Sequence, residues 1–201
     1  MPQRFRCELI SWRRVYQLAR RLALNIGNAR FQPDIIVAIA RGGYVPARIL
    51  CDFLNVYRLA SLGAMHYAAG ARQLDRARLG ASLDTDITDL KVLVVDDTSD
   101  TGDTLGLVLA HIKALNPASV NVAVLHYKKV SAVTPDFYAQ KVVKWRWIIY
   151  PWAVIEDITG FIQDMADRPG TPERAAVRLK RDYGVQVPKQ ILSDVYTLLR
   201  S

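Results

Sequence analysis

The stretch Val92–Thr104, VLVVDDTSDTGDT, sets four apolar residues ahead of two aspartates and then a loop of hydroxyls, further acids and one glycine. A short β-branched run bounded by turn residues reads as a strand buried on both faces. The residues that follow, DTLGLVLAHIKAL, read as a helix ending near Asn116-Pro117, so the loop falls on a helix N-terminus. Backbone N–H groups of Thr101–Thr104 can then form an anion nest, with Gly102 permitting the tight turn and the Ser99, Thr101 and Thr104 hydroxyls adding donors. Capping or turn formation asks for one such residue, whereas Asp96, Asp97, Asp100 and Asp103 crowd together here. Like charges packed this way destabilise the chain unless a ligand or metal offsets them.

Outward from this loop, PDIIVAIA is a second apolar run, bounded by Pro33 and by Arg41-Gly42-Gly43, and VPARILCDFL continues as a helix. VYRLASL, SVNVAVLHY and KVVKWRWIIY read as further strands. Trp12, Val15, Ala19, Leu22 and Ile26 recur at helical spacing, with Ser11 as a cap and Gly27 as a stop. The alternation of strand and helix predicts an α/β fold, a parallel twisted sheet with helices on both faces. GAMHYAAGARQLDRARLGASLDTDITDL is too long and polar for an ordinary connection and reads as a loop. After Pro151 the composition shifts. TPERAAVRLKRDYG carries a Thr cap, Pro at the first helical position and a terminal Gly, and PKQILSDVYTLL is a second amphipathic helix, so the chain ends in a C-terminal helical tail.

With 201 residues the chain is long enough for one compact domain and an appendage. The formal charge of +8 suits phosphorylated or nucleic-acid partners and equally a solvated Arg-rich surface. Cys7 and Cys51 are far apart and lack metal-like spacing, which points to a reduced, cytoplasmic setting without a disulfide framework. The opening MPQRFRCELISWRR lacks the apolar core of a signal peptide, and no run approaches membrane-spanning length.

The chemistry of the loop follows from its donors. A Walker A lysine pair is missing, which disfavours nucleoside triphosphate hydrolysis. Asp96 and Asp97 cannot bind the anion held by the nest, but they can accept hydrogen bonds from sugar hydroxyls or approach Mg2+. Together these features describe a ribose 5-phosphate.

Here the stretch resembles the phosphoribosyl pyrophosphate signature of type I phosphoribosyltransferases. ARGGYVPARIL is similar to the pyrophosphate loop and helix of the xanthine-guanine and hypoxanthine-type members, and WRWIIYPW to their base-covering segment. The likeness runs from about Asp34 to Trp152. It implies a core over 1–155, with a mobile loop around 66–89 and a base-covering segment around 141–155, followed by the tail over 156–201. The implied reaction joins a 6-oxopurine (hypoxanthine, guanine or xanthine) to phosphoribosyl pyrophosphate, with Mg2+ as cofactor and a homo-oligomer as the assembly.

By the same resemblance Asp96 and Asp97 meet the ribose hydroxyls and the Mg2+ shell, in part through water. Asp100, Thr101, Gly102, Asp103 and Thr104 cradle the 5-phosphate, and Arg41 and Gly42 grip pyrophosphate. Asp100 stands where purine-specific members carry the acid that exchanges a proton with purine N7. Lys128, or Lys129 in the other register, meets the 6-oxygen, and Trp147 stacks on the base or packs in the core. Arg72, Arg76 and Arg78 of the covering loop either reach pyrophosphate or are solvated. Ile149 replaces the acid that the xanthine-guanine type carries two positions beyond the aromatic, which leaves recognition of the purine 2-substituent open. His66, His111 and His126 have no ligand-like spacing. The competing readings are an adenine-specific transferase and a regulator that senses phosphoribosyl pyrophosphate and binds nucleic acid. The tail has no recognition-helix pattern, so no specific nucleic-acid partner and no membrane is expected.

Overall fold

The computed structural model describes residues 5–68 and 72–199, except for the side chains of 65–68 and 72–77. In chain order the elements are β1 (Cys7–Leu9), α1 (Trp12–Asn28), β2 (Ile35–Ala40), α2 (Tyr44–Leu54), β3 (Leu59–Ala68), β4 (Arg72–Leu79) and β5 (Lys91–Ser99). There follow α3 (Asp103–Lys113), β6 (Ser119–Lys128), β7 (Phe137–Val142), β8 (Trp147–Ile149), α4 (Val154–Gln163), α5 (Pro172–Tyr183) and α6 (Lys189–Leu198). Packing divides the chain into two units. One comprises Arg13–His66 and Leu74–Lys144, the other the described residues of 1–12, 67–73 and 145–201.

The first unit is built on a six-stranded sheet of order β4-β3-β2-β5-β6-β7. Its central pairs are parallel, with Ala38 opposite Val95, Asp96 opposite Val124 and Ala123 opposite Phe137. Ile36, Val37 and Ala38 on β2 and Val92–Val95 on β5 are all buried, because helices cover both faces of a parallel sheet. Ile35, Val37, Ile39, Val92, Val94, Val122 and Val124 pack with Leu105, Val108 and Ile112 of α3. Successive side chains on a strand alternate between faces, so Ile36, Ala38, Leu93 and Val95 turn to the other side.

The second unit pairs β1 with β8 in parallel, Cys7 opposite Trp147 and Leu9 opposite Ile149. Ile149, Ile158, Phe161, Leu179, Leu192 and Val195 form its apolar centre, with Phe5 and Trp147 packed against it. The start and stop signals of α5 act as the sequence predicts: Thr171 accepts from the Arg174 amide, Pro172 opens the helix and Gly184 closes it at φ 70°.

Two expectations are corrected, and further features stand beside them. The segment 141–150 is two strands in two sheets, broken where Val143, Lys144 and Trp145 are exposed, and alternation alone does not register so short a break. The polar segment after β3 contains β4, whose RQLDRARL sequence sets polar residues on both faces of a charged edge strand, the form that resists edge-to-edge pairing. The crossover from β6 to β7 carries no helix: Lys129–Asp136 returns along the sheet without one. The strand β1 and the helix α4 are additional elements. Among the described residues no helix is long and apolar enough to cross a membrane.

Candidate active site

The sheet order fixes where a ligand can enter. From β2 the chain passes through α2 to β3 on one side, and from β5 through α3 to β6 on the other, so the order reverses between β2 and β5. Loops leaving two such neighbours diverge and open a crevice at their carboxyl ends. The loops there are 41–43 and 100–102, the two that the sequence singles out.

The 41–43 loop packs against the end of β5. A Cβ added at Gly42 would stand 2.7 Å from the Asp97 carboxyl carbon, and one at Gly43 would strike the Val95 and Ile39 carbonyl oxygens. The Ala40–Arg41 peptide is cis, and the Gly43 amide donates to the Ile39 carbonyl at 2.8 Å. Arg41 is exposed. Gly42→Ala is therefore expected to displace the Asp97 carboxylate and to lower kcat/KM at least tenfold while leaving the melting temperature within a few degrees. Steady-state kinetics beside a thermal melt check this.

Asp96 is buried and its Oδ1 accepts from the Asp97 amide at 2.9 Å. Burial first, then the Asp97 charge, pushes the Asp96 carboxyl well above its usual range, and the amide bond opposes this. Such a group costs stability when ionised and benefits from a partner that neutralises it. Beyond the pair, Gly102 at φ 94° caps α3 without a side chain of its own, and the Asp103 amide donates to Thr101 Oγ1 at 3.4 Å. A helix start carries a positive backbone dipole, which favours an anion at the amides beyond Asp103. Thr101 Oγ1 donates to Asp103 Oδ2 at 2.7 Å, which ties the turn to that first residue. Ser99 is corrected: it is buried, and its hydroxyl meets Ser131 Oγ at 2.7 Å within the protein.

Lys128 is 2 % exposed, and its Nζ donates to Asp100 Oδ2 at 2.6 Å. Lys129 is exposed. A donor and an acceptor thus stand side by side at the edge of the turn that opens α3. His126, two residues before Lys128 on β6, is fully buried. Burial, then the Arg14 and Lys128 charges, lowers it to about 4, which keeps the ring neutral at neutral pH.

Trp147 and Ile149 belong to the second unit, where Ile149 is buried and Trp147 packs on the helical cluster. His66 and the loop arginines Arg72 and Arg76 have side chains outside the described residues, as do residues 69–71 entirely; Arg78 is exposed. Ser131, Ala132 and Val133 around Gly102 were not singled out by the sequence, because the serine and two small apolar residues in KKVSAVTP carry no motif.

Comparison with known proteins adds to this geometry. The family model for a phosphoribosyl transferase domain matches residues 8–157. The chain is 29% identical over 153 residues to a xanthine-guanine phosphoribosyltransferase of Ruegeria sp. (strain TM1040), covering 71% of this chain and 83% of the relative. The crystal structure of a purine phosphoribosyltransferase from Pyrococcus horikoshii is similar at a TM-score of 0.63 and 29% identity, over 73% of this chain and 93% of that one. A hypothetical protein from Neisseria gonorrhoeae, solved with bound ppGpp, is similar at a TM-score of 0.65 and 28% identity, over 74% and 89%.

Proposed function

The chain belongs to the phosphoribosyl transferase domain family, and from that premise we propose that it is a purine phosphoribosyltransferase. It joins a 6-oxopurine base to phosphoribosyl pyrophosphate and releases a nucleoside 5′-monophosphate and pyrophosphate. The observation that carries this reading is the Lys128–Asp100 pair, 2.6 Å apart beside the α3 turn. A 6-oxopurine presents O6, an acceptor, next to N7, whereas adenine presents an N6 donor there. Lys128 has three N–H donors and gives one to Asp100, so another can meet O6 while an Asp100 lone pair accepts at N7. An adenine amine would face the Lys128 charge instead.

The chemistry follows from these roles. The bond from the sugar's anomeric carbon to pyrophosphate breaks with its electrons leaving on pyrophosphate, the bond to the base nitrogen forms, and Asp100 takes the base proton. Thr101–Thr104 anchor the 5-phosphate, Arg41 and Gly42 face the departing pyrophosphate, and Asp96 and Asp97 orient the ribose hydroxyls. Orientation of this kind turns a two-body encounter into a unimolecular step. The packing of Trp147 against the apolar centre of the second unit favours the core reading of that ring.

The Asp96–Asp97 donor set fits Mg2+, a hard cation that takes one or two carboxylates and completes its shell with water and substrate oxygens. When bound it neutralises charge on the departing pyrophosphate. A homo-oligomer in the cytoplasm completes the proposal, on the likeness to this family alone.

The test is a panel of hypoxanthine, guanine, xanthine and adenine, each with phosphoribosyl pyrophosphate and Mg2+, read by mass spectrometry of the nucleotide. A 6-oxopurine product at a rate at least tenfold above adenine is expected. Preferential formation of AMP would overturn the role given to Lys128.

A further inference from the structure

The crossover from β6 to β7 passes directly beneath the phosphate-type turn. The Ala132 amide donates to the Thr101 carbonyl at 2.7 Å, and the Ser131 amide donates to the Lys128 carbonyl at 3.0 Å. Ser131 Oγ meets Ser99 Oγ at 2.7 Å and donates to the Val133 carbonyl at 2.9 Å. The approach is so close that a Cβ on Gly102 would lie 2.7 Å from the Val133 amide nitrogen and 2.8 Å from Ser131 Oγ. Glycine at this φ of 94° therefore answers two demands, the backbone conformation and the passing chain. Tyr127 and Thr134 hydroxyls, 3.3 Å apart, hold the far side of the crossover.

We propose that Ser131–Val133 is a clasp that presets the Thr101–Gly102 turn for the 5-phosphate, with Ser131 and Ser99 as positioning residues that do not touch substrate. The proposal rests on the reading of this crevice as a phosphoribosyl pyrophosphate site. A nest binds an anion well when its amides already converge, because the ordering entropy is then not charged to binding. The clasp supplies that order from outside the ligand's reach, through the Ala132–Thr101 bond and the Ser131–Ser99 hydroxyl pair. It also joins the turn to Lys128, so the phosphate end and the base end of the crevice share one support.

The experiment compares wild type with Ser131→Ala, Ser99→Ala and the double variant. Amide hydrogen exchange over 100–105 in the ligand-free protein is expected to quicken in each variant, a readout independent of what the site binds. KM for phosphoribosyl pyrophosphate should rise about three- to tenfold, the scale of one neutral hydrogen bond, while kcat and the purine KM stay within twofold. The double variant should be no worse than the poorer single variant, since both remove one interaction. Unchanged exchange, or both KM values rising together with an additive double variant, would overturn the clasp. Wild-type protein that does not bind phosphoribosyl pyrophosphate, despite quickened exchange in the variants, would instead overturn the reading beneath it.

Discussion

Replacing Asp96 and Asp97 together with Asn is expected to lower kcat/KM by about 150- to 25,000-fold, the scale of two charge-assisted hydrogen bonds at about 1.5–3 kcal/mol each. The same variant should be more stable than wild type at neutral pH. Asp96 is buried beside Asp97, and its carboxyl lies above its ordinary value of 3.8. The folded chain therefore binds more protons than the unfolded chain between 3.8 and that raised value, so stability falls as pH climbs through this window. Asn carries no charge to bury and removes the loss. A melt at pH 7 beside steady-state kinetics reads both effects. Near-normal turnover in the folded double variant would remove the pair from the chemistry, and a lower melting temperature would show that the acids serve the fold.

Lys128→Met is expected to give the second large effect. The Lys128 stem is buried, so Met retains most of its packing where Ala would leave a cavity. What is lost is the cation paired to Asp100 at 2.6 Å. Removing one member of a buried pair costs about 3–5 kcal/mol, and the lower end applies because the Asp100 side chain, 11 % exposed, still reaches water. Turnover of hypoxanthine should drop about 10- to 150-fold, as for one charged hydrogen bond, while the residual rate with adenine holds or rises. Parallel loss with both bases would show that Lys128 supports Asp100 without reading the base.

The parts of the fold that were legible are those where composition and position agree. The apolar runs of β2 and β5 are buried on both faces and leave no doubt of phase, and the glycines and acids directly behind them fall at the crevice because parallel strands deliver their carboxyl ends to one edge. The boundaries of α5 were written in Thr171, Pro172 and Gly184. Lys128 and Lys129 look alike in sequence. Burial beside Asp100 separates them, and that depends on where β6 ends in relation to β5.

Other features rest on pairings that no local pattern encodes. Three residues of β8 find three of β1 from the opposite end of the chain, and the helical tail gains its centre from that pairing. Ser99 looked like a phosphate donor because hydroxyls crowd its loop, yet its hydroxyl meets a serine on a distant crossover. The charged sequence of β4 was read as a loop because polarity on both faces hides a strand at a sheet edge.

A time course of pyrophosphate release and nucleotide formation addresses the role of the β2–β5 crevice most directly, with purified protein, Mg2+, phosphoribosyl pyrophosphate and hypoxanthine, beside the Asp96→Asn/Asp97→Asn variant. Wild type is expected to form one inosine 5′-monophosphate for each pyrophosphate released, with no release when the base is omitted and almost none from the variant. Pyrophosphate released without nucleotide, or equal rates from wild type and the folded variant, would contradict transfer at this site.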